Sequence, residues 1–139
     1  MSALSIEDYF GPWLNTADAT PEIKEDAEHL VEAVNALMAL AEFDEVMFHI
    51  NPHTGTMVSG QTYGGFRPQS CTQGAKNSSH KQGLAVDLFD PQGAIDEWCV
   101  NNLDKLEACG IYLESPTDTP GWAHWTIRRP GSGNRVFKP

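Results

Sequence analysis

The chain has 139 residues, and its 9 Lys and Arg against 19 Asp and Glu give a formal net charge of -10. This length is typical of one domain, and a content of 40% hydrophobic residues is typical of a globular core. The acidic balance argues against nucleic-acid and anionic membrane partners, because both require basic patches. We therefore expect a single domain, residues 1–139, without nucleic-acid or membrane partners.

No targeting signal is visible in the sequence. Residues 1–13 lack the basic and apolar regions of a signal peptide, and the longest apolar-rich stretch, residues 30–41, is too short to span a bilayer. Cys71, Cys99 and Cys109 form no Cys-x-x-Cys pattern. We expect them to be reduced thiols of a protein that is made in the cytoplasm.

The N-terminal third of the chain predicts two helices. Ser5, followed three residues later by Asp8, resembles a capping box at the start of a short helix. Thr20 is a good N-cap residue, and Pro21 suits the first helical position. Apolar residues then recur at helical spacing as far as about Phe43, which predicts a long amphipathic helix.

Two strand patterns and a long irregular stretch follow. Residues 46–50 alternate between buried-type and exposed-type side chains, and residues 84–89 form an apolar run, so both segments predict strands. Between them, residues 51–79 contain many Gly, Ser, Thr, Gln and Pro with little periodicity. A compact domain rarely carries so long an irregular segment without a functional reason.

The last third of the chain predicts one more helix and two more strands. Apolar spacing over residues 91–108 predicts a helix that ends before Gly110, while residues 111–114 and 123–128 predict strands. The tail, residues 131–139, has no regular pattern. We therefore expect an α+β protein in which helices pack on a small, mostly antiparallel sheet.

Three residues in the second half of the chain have the chemistry of a metal site. His80 precedes the strand at 84–89, and Asp87 lies within it, where an acid is costly to bury without a partner. His124 lies on the last predicted strand, on the face opposite to Trp125. Imidazole and carboxylate groups are ordinary Zn²⁺ ligands, and a catalytic zinc has three protein ligands and one open position. We therefore expect His80, Asp87 and His124 to bind one zinc ion.

A motif around these residues resembles that of a known peptidase family. Its elements are an upstream Gly65-Phe66-Arg67, the run Ser78-x-His80-x-x-Gly83-x-Ala85-x-Asp87 and a downstream Trp122-x-His124. The set is similar to the zinc peptidases of the D-alanyl-D-alanine carboxypeptidase type, which share a fold with the hedgehog signalling domain. That family includes bacterial carboxypeptidases, vancomycin-resistance dipeptidases and phage endolysins. The resemblance spans residues 46–128 and is strongest to the short phage and prophage members.

The resemblance implies a zinc-dependent peptidase that hydrolyses peptidoglycan stem peptides, of the D,D-carboxypeptidase or L,D-endopeptidase type. The three candidate ligands match the family's zinc ligands, while Arg67 and Ser78 match positions that bind and orient the peptide. Arg67 is also expected to stabilise the developing oxyanion, because its planar fork matches a polarised carbonyl or a carboxylate. The role of Trp122 is open: its side chain either packs in the core or forms a wall of the substrate pocket.

One position departs from the family pattern. Many members carry an acid three residues before the last histidine, as the base that activates water, but that position here is Gly121. Two acids lie upstream, Glu114 and Asp118. If the last two predicted strands pair antiparallel, Glu114 lies near His124, so Glu114 is the preferred base and Asp118 the alternative. The third possibility is that neither acid serves and the site binds zinc without hydrolysis.

Two further functions are compatible with the sequence: a non-catalytic zinc- or peptide-binding module of a phage particle or cell-wall recognition protein, and a cytosolic protein in which the motif is coincidental. For the peptidase we expect a monomer whose partner is a peptidoglycan peptide.

Without a signal peptide, the peptidase would reach the cell wall after lysis or by delivery with a particle. The charge of -10 makes long-range attraction of an anionic substrate poor, so capture would depend on the zinc and Arg67.

Overall fold

The computed structural model describes residues 2–139 and begins with two capped helices. Helix α1 (Ile6–Phe10) starts at Ser5, whose Oγ accepts a hydrogen bond from the backbone N–H of Asp8 at 3.0 Å. Helix α2 (Pro21–Phe43) starts at Thr20, whose Oγ1 accepts from the backbone N–H of Ile23 at 3.3 Å. Both predicted helices are therefore confirmed. The buried face of α2 consists of Ala27, Leu30, Val31, Val34, Leu37, Met38 and Ala41.

The sheet has four strands in the order β1-β3-β2-β4. They are β1 (Ala85–Phe89), β2 (Tyr112–Glu114), β3 (Trp122–Thr126) and β4 (Val136–Phe137). Strand β3 pairs antiparallel with β1 and with β2, whereas β4 pairs parallel with β2. The chain is thus an α+β protein, as predicted. Its sheet is mixed because the tail, which the sequence predicts to be irregular, supplies the parallel edge strand.

A continuous apolar core joins the helices to the sheet. Trp125 is fully buried, as the alternation along its strand predicts, and Phe48 approaches it edge-on with ring centroids 6.2 Å apart. The three cysteines are free thiols, as expected. The largest fully buried side chains are Trp125, Tyr9, Phe10, Phe66, Leu30, Leu37, Met38, Leu88, Ile95, Leu106, Ile111 and Leu113.

The predicted strand at residues 46–50 is wrong. Val46 and Phe48 pack against the core and Met47 is exposed, but Ile50, which the alternation also places on the buried side, is exposed. No strand of the described chain lies beside this segment to pair with it. Alternating apolar residues indicate a segment with one buried side, but a strand also requires a neighbouring strand with which to form backbone hydrogen bonds.

The predicted helix over residues 91–108 is divided into α3 (Ala94–Val100) and α4 (Leu103–Cys109). The break lies at Asn102, whose side-chain amide donates to the carbonyl of Trp98 at 2.8 Å. Asparagine competes in this way with the backbone bonds of a continuing helix. None of these helices, and no other helix within residues 2–139, has the length and apolarity that crossing a membrane requires.

Candidate metal centre

The pairing of two strands and the turn before them brings the three predicted ligands together. Asp87 of β1 lies directly opposite His124 of β3 in the antiparallel register, so that both side chains project from the same face of the sheet. His80 lies in a 3₁₀ helix, Ser79–Gln82, just before β1. The donor atoms of the three side chains all lie within 4.8 Å of one another, and all three residues are buried.

A backbone carbonyl sets the orientation of His80. Its Nδ1 lies 2.8 Å from the carbonyl oxygen of Gly65. Because a carbonyl oxygen can only accept, Nδ1 donates, which leaves Nε2 of the neutral ring with a free lone pair. That nitrogen lies 3.3 Å from Asp87 Oδ1. Burial, opposed by Asp87, lowers the pKa of His80 and so favours the neutral ring.

Asp87 is the centre of the cluster. Its Oδ1 accepts a hydrogen bond from His124 Nδ1 at 2.8 Å, and its Oδ2 lies 3.4 Å from Arg67 Nη2. Burial alone would raise the pKa of Asp87, but the attraction and hydrogen bonds of His80 and His124 outweigh burial and hold it well below its usual range. Burial disfavours the charged form of His124, yet the bond to Asp87 prevails and raises the pKa of this histidine.

The donor set fits a zinc ion. Ligands about 2.0–2.2 Å from tetrahedral zinc lie about 3.3–3.6 Å apart, which compares well with the 3.3 Å between His80 Nε2 and Asp87 Oδ1. The shorter 2.8 Å between His124 and Asp87 is the distance of a hydrogen bond, which a proton on Nδ1 completes. Metal-binding histidines commonly donate their other N–H to a carbonyl, as His80 does to Gly65.

The two candidate bases have different partners: Glu114 lies beside His124, whereas Asp118 pairs with a lysine. Strand β2 pairs antiparallel with β3, as the sequence prediction required, and Glu114 Oε1 lies 3.9 Å from His124 Nδ1. Burial, opposed by His124, raises the pKa of Glu114. Asp118 is exposed, and its carboxylate pairs with Lys138 at 3.3 Å. Gly121 has a φ of +90°, a backbone conformation that an acid would seldom adopt.

Arg67 is held beside the cluster by backbone carbonyls. Its Nε donates to the carbonyl oxygen of Tyr63 at 2.7 Å, and its Nη1 lies 3.4 Å from that of Gln73. The contact of Nη2 with Asp87 completes the set. The guanidinium is thereby fixed at the edge of the candidate metal centre with part of its donor fork still available.

Ser78 and Trp122 occupy different positions around the centre. Ser78 Oγ accepts a hydrogen bond from the backbone N–H of His80 at 3.2 Å, so this serine caps the turn that carries the histidine. Its hydroxyl hydrogen is still free to meet another acceptor. Trp122 is half-buried and lies in the wall of two clefts.

The two clefts meet at the candidate metal centre. One, of about 370 Å³, contains all three candidate ligands together with Glu114 and Phe137. The other, of about 410 Å³, lies against the loop 59–64. Arg67, Asp87 and Trp122 line both of them. The irregular stretch predicted over residues 51–79 therefore supplies walls on both sides of the centre.

Sequence reasoning missed two contributors to this site. The carbonyl of Gly65 orients His80. Every residue has a main-chain carbonyl, so the residue type does not show which one makes this contact. Phe137 lines the cleft with its ring 6.1 Å from that of His124, although it lies in the tail predicted to be irregular. The other histidines, His29, His49 and His53, are exposed.

In comparisons with known proteins, no family model, no curated protein and no solved structure matches this chain. Its function is therefore inferred from the chemistry of the site and from the motif that its sequence carries.

Proposed function

We propose that this chain is a zinc-dependent peptidase that hydrolyses peptidoglycan stem peptides, with the hedgehog/D,D-peptidase-like fold of the family that its motif resembles. The observation that carries the proposal is the buried group of His80, Asp87 and His124, which opens into two clefts. Over residues 2–139 no fourth His, Cys, Asp or Glu joins this group. Three protein donors beside an open cleft are characteristic of catalytic zinc, whereas structural zinc has four.

Zinc in this position would supply Lewis-acid activation of a water molecule and of the scissile carbonyl. Glu114 is the proposed base, since its Oε1 lies close to His124 and within the cleft. It would accept the proton of the attacking water on a carboxylate oxygen and release it to the leaving amine nitrogen. Asp118 is less suited because Lys138 engages its carboxylate.

Arg67, Ser78 and Trp122 are proposed to bind and orient the peptide. Arg67 faces both clefts, so its guanidinium can donate to the carbonyl oxygen under attack or to a carboxylate of the peptide. Ser78 has a hydroxyl hydrogen available at the cleft wall. The indole of Trp122 offers an apolar surface along which a peptide can pass from one cleft to the other.

The test is a hydrolysis assay on muropeptides with the zinc-loaded protein, its Glu114→Gln variant and the matched Asp118→Asn variant. Removing the base is expected to lower kcat by about 10²–10⁴-fold while leaving zinc content unchanged. Asp118→Asn is expected to retain activity within a few-fold. Full activity of Glu114→Gln would contradict the assignment of the base. If the zinc-loaded wild-type protein cleaves no muropeptide, the peptidase proposal fails and the non-catalytic zinc- or peptide-binding module replaces it.

A further inference from the structure

A third cavity, of about 330 Å³, adjoins the candidate metal cleft and is lined by cations. Arg128, Arg129 and Lys138 line it, and no Asp or Glu side chain does. These are three of only nine Lys and Arg in a chain of net charge -10. The cavity is therefore a local concentration of positive charge on an otherwise acidic protein, and we call it the basic cavity.

The two arginines of the basic cavity have guanidinium N–H groups that no carboxylate of the described residues binds. Arg128 Nη1 donates to the carbonyl oxygen of Asn77 at 3.1 Å and lies 3.4 Å from Gln82 Oε1, both of which are uncharged acceptors. Neither Arg128 nor Arg129 has a carboxylate partner among the described residues. Lys138 forms an ion pair with Asp118. A guanidinium carries five N–H donors in a fork that matches a carboxylate, so both arginines can bind an added anion.

The basic cavity borders the candidate metal cleft. Ser79, Phe137 and Pro139 line both. A ligand that lies along the cleft would pass Phe137 and meet the arginines. Resting on the proposed peptidase function, we propose that the basic cavity is a binding subsite for the free α-carboxyl of the glutamate in the stem peptide, at a distance from the bond that is cut.

A carboxylate on a peptide fits the cavity better than a phosphate polymer of the wall. A polymer with a charge on every unit is bound by an extended basic stripe. Here the cations are confined to one cavity beside a cleft that can hold a peptide, while the chain as a whole carries a charge of -10. Such an arrangement selects a single anionic group in a defined place and repels a polyanion elsewhere.

The test compares two cell-wall stem pentapeptides, one with the free α-carboxyl of its glutamate and one with that carboxyl amidated. Binding is followed by amide NMR shifts of the full-length protein in a chelator, so that no hydrolysis intervenes. The wild-type protein is expected to bind the acid about tenfold more tightly than the amide. Arg128→Gln with Arg129→Gln is expected to abolish this preference, and Arg129→Gln alone is expected to reduce it.

Lys24→Gln is the charge control, because it also removes one positive charge but lies on α2 and lines none of the described cavities. It should keep the full preference. The inference is overturned if acid and amide bind equally or not at all, or if the preference survives the double substitution. Binding of a polyribitol phosphate at the arginines in place of the peptide would also overturn it. Because binding is measured without turnover, an inactive protein that keeps the preference contradicts only the proposed function.

Discussion

At the scale of single residues, the candidate metal centre depends on a glycine that carries no reactive group. The carbonyl of Gly65 orients the ring of His80, and the next residue, Phe66, donates its backbone N–H to the carbonyl of Tyr9 at 3.0 Å. A Cβ on Gly65 would lie only 2.0 Å from that carbonyl oxygen. The close approach of two backbone segments therefore requires glycine here.

Gly65→Ala is expected to displace the carbonyl that holds His80, because the added methyl group overlaps the backbone of Tyr9. Loss of the group that orients a metal-binding histidine lowers metal affinity by about 10–100-fold. The zinc dissociation constant, measured by competition with a chromophoric chelator, is expected to rise by that factor. Thermal unfolding should also occur at a lower temperature.

Gly131→Ala is the matched control for that substitution. A Cβ at Gly131 has no heavy atom within 4 Å, and its backbone does not have a positive φ. Zinc affinity and stability should both match those of the wild-type protein. If Gly65→Ala bound zinc as tightly as Gly131→Ala does, the carbonyl would not be what positions His80.

At the scale of secondary-structure elements, a buried acid connects α3 to the loop between β2 and β3. Asp96 Oδ2 accepts a hydrogen bond from Thr119 Oγ1 at 3.1 Å, whereas its buried Oδ1 has no partner among the described residues. Burial raises the pKa of Asp96, the hydrogen bond from Thr119 opposes this, and the charges of Asp90 and Glu114 add to the rise, so that the pKa lies at about 7. Asp96 is thus protonated over much of the acidic range.

This pKa predicts how stability changes with pH. The unfolded chain releases the proton of Asp96 near 3.8, whereas the folded protein retains it up to about 7. The folded state therefore binds more protons between these values, and the free energy of unfolding falls as the pH rises through this window. Asp96→Asn mimics the protonated side chain, so it should be near neutral at pH 4 and stabilise by about 4 kcal/mol at pH 8, as the difference between the two pKa values implies. Urea denaturation at the two pH values measures the difference.

Asp26→Asn serves as the comparison, because this acid is exposed on α2. Its effect on the free energy of unfolding should be small and similar at both pH values. An Asp96→Asn protein that is destabilised at pH 8 would show that the charged carboxylate has a stabilising partner, contrary to the prediction.

At the scale of the whole molecule, the candidate ligands connect segments that are distant in sequence. His80 belongs to the turn before β1, whereas Asp87 and His124 belong to two neighbouring strands. Only the folded chain brings these three side chains close enough to bind one metal ion. Its binding free energy therefore adds to the stability of the fold.

Zinc at 100 times its dissociation constant is expected to raise the free energy of unfolding by about 2.7 kcal/mol. The melting temperature, followed by circular dichroism, should rise by several degrees with zinc and return with a chelator. His80→Ala should lose this response, while His29→Ala, at an exposed position of α2, should keep it. Equal responses of wild type and His80→Ala would place the zinc elsewhere.

The distribution of charge changes the interpretation of the acidic composition. A net charge of -10 predicts weak capture of an anionic substrate, with Arg67 and zinc as the main local attraction. The fold instead gathers Arg128, Arg129 and Lys138 beside the cleft, although the tail that carries Lys138 has no sequence pattern. Net charge describes the whole surface, whereas binding depends on the field within one cavity.

Much of the fold was predictable from local patterns. The cap at Thr20 and the apolar spacing behind it predict α2, because helix formation depends on residues three and four apart. The apolar run before and after Asp87 predicts β1, and the acid within it marks a buried charge that needs partners. The segment 46–50 and the tail were misassigned, since strand formation depends on a neighbour that local sequence does not name.

From the sequence, α1, α2 and the strands β1 to β3 could be predicted, together with the three residues that can bind zinc, because each depends on side-chain chemistry or on spacing along the chain. The break between α3 and α4 and the pairing of β4 could not be predicted in this way. Tertiary structure alone decided which acid lies near His124, since this depends on the pairing of β2 with β3. It also decided the carbonyl that orients His80 and the cations that share one cavity. Those are contacts between distant segments, and their distances are set by strand register and packing, which no single segment encodes.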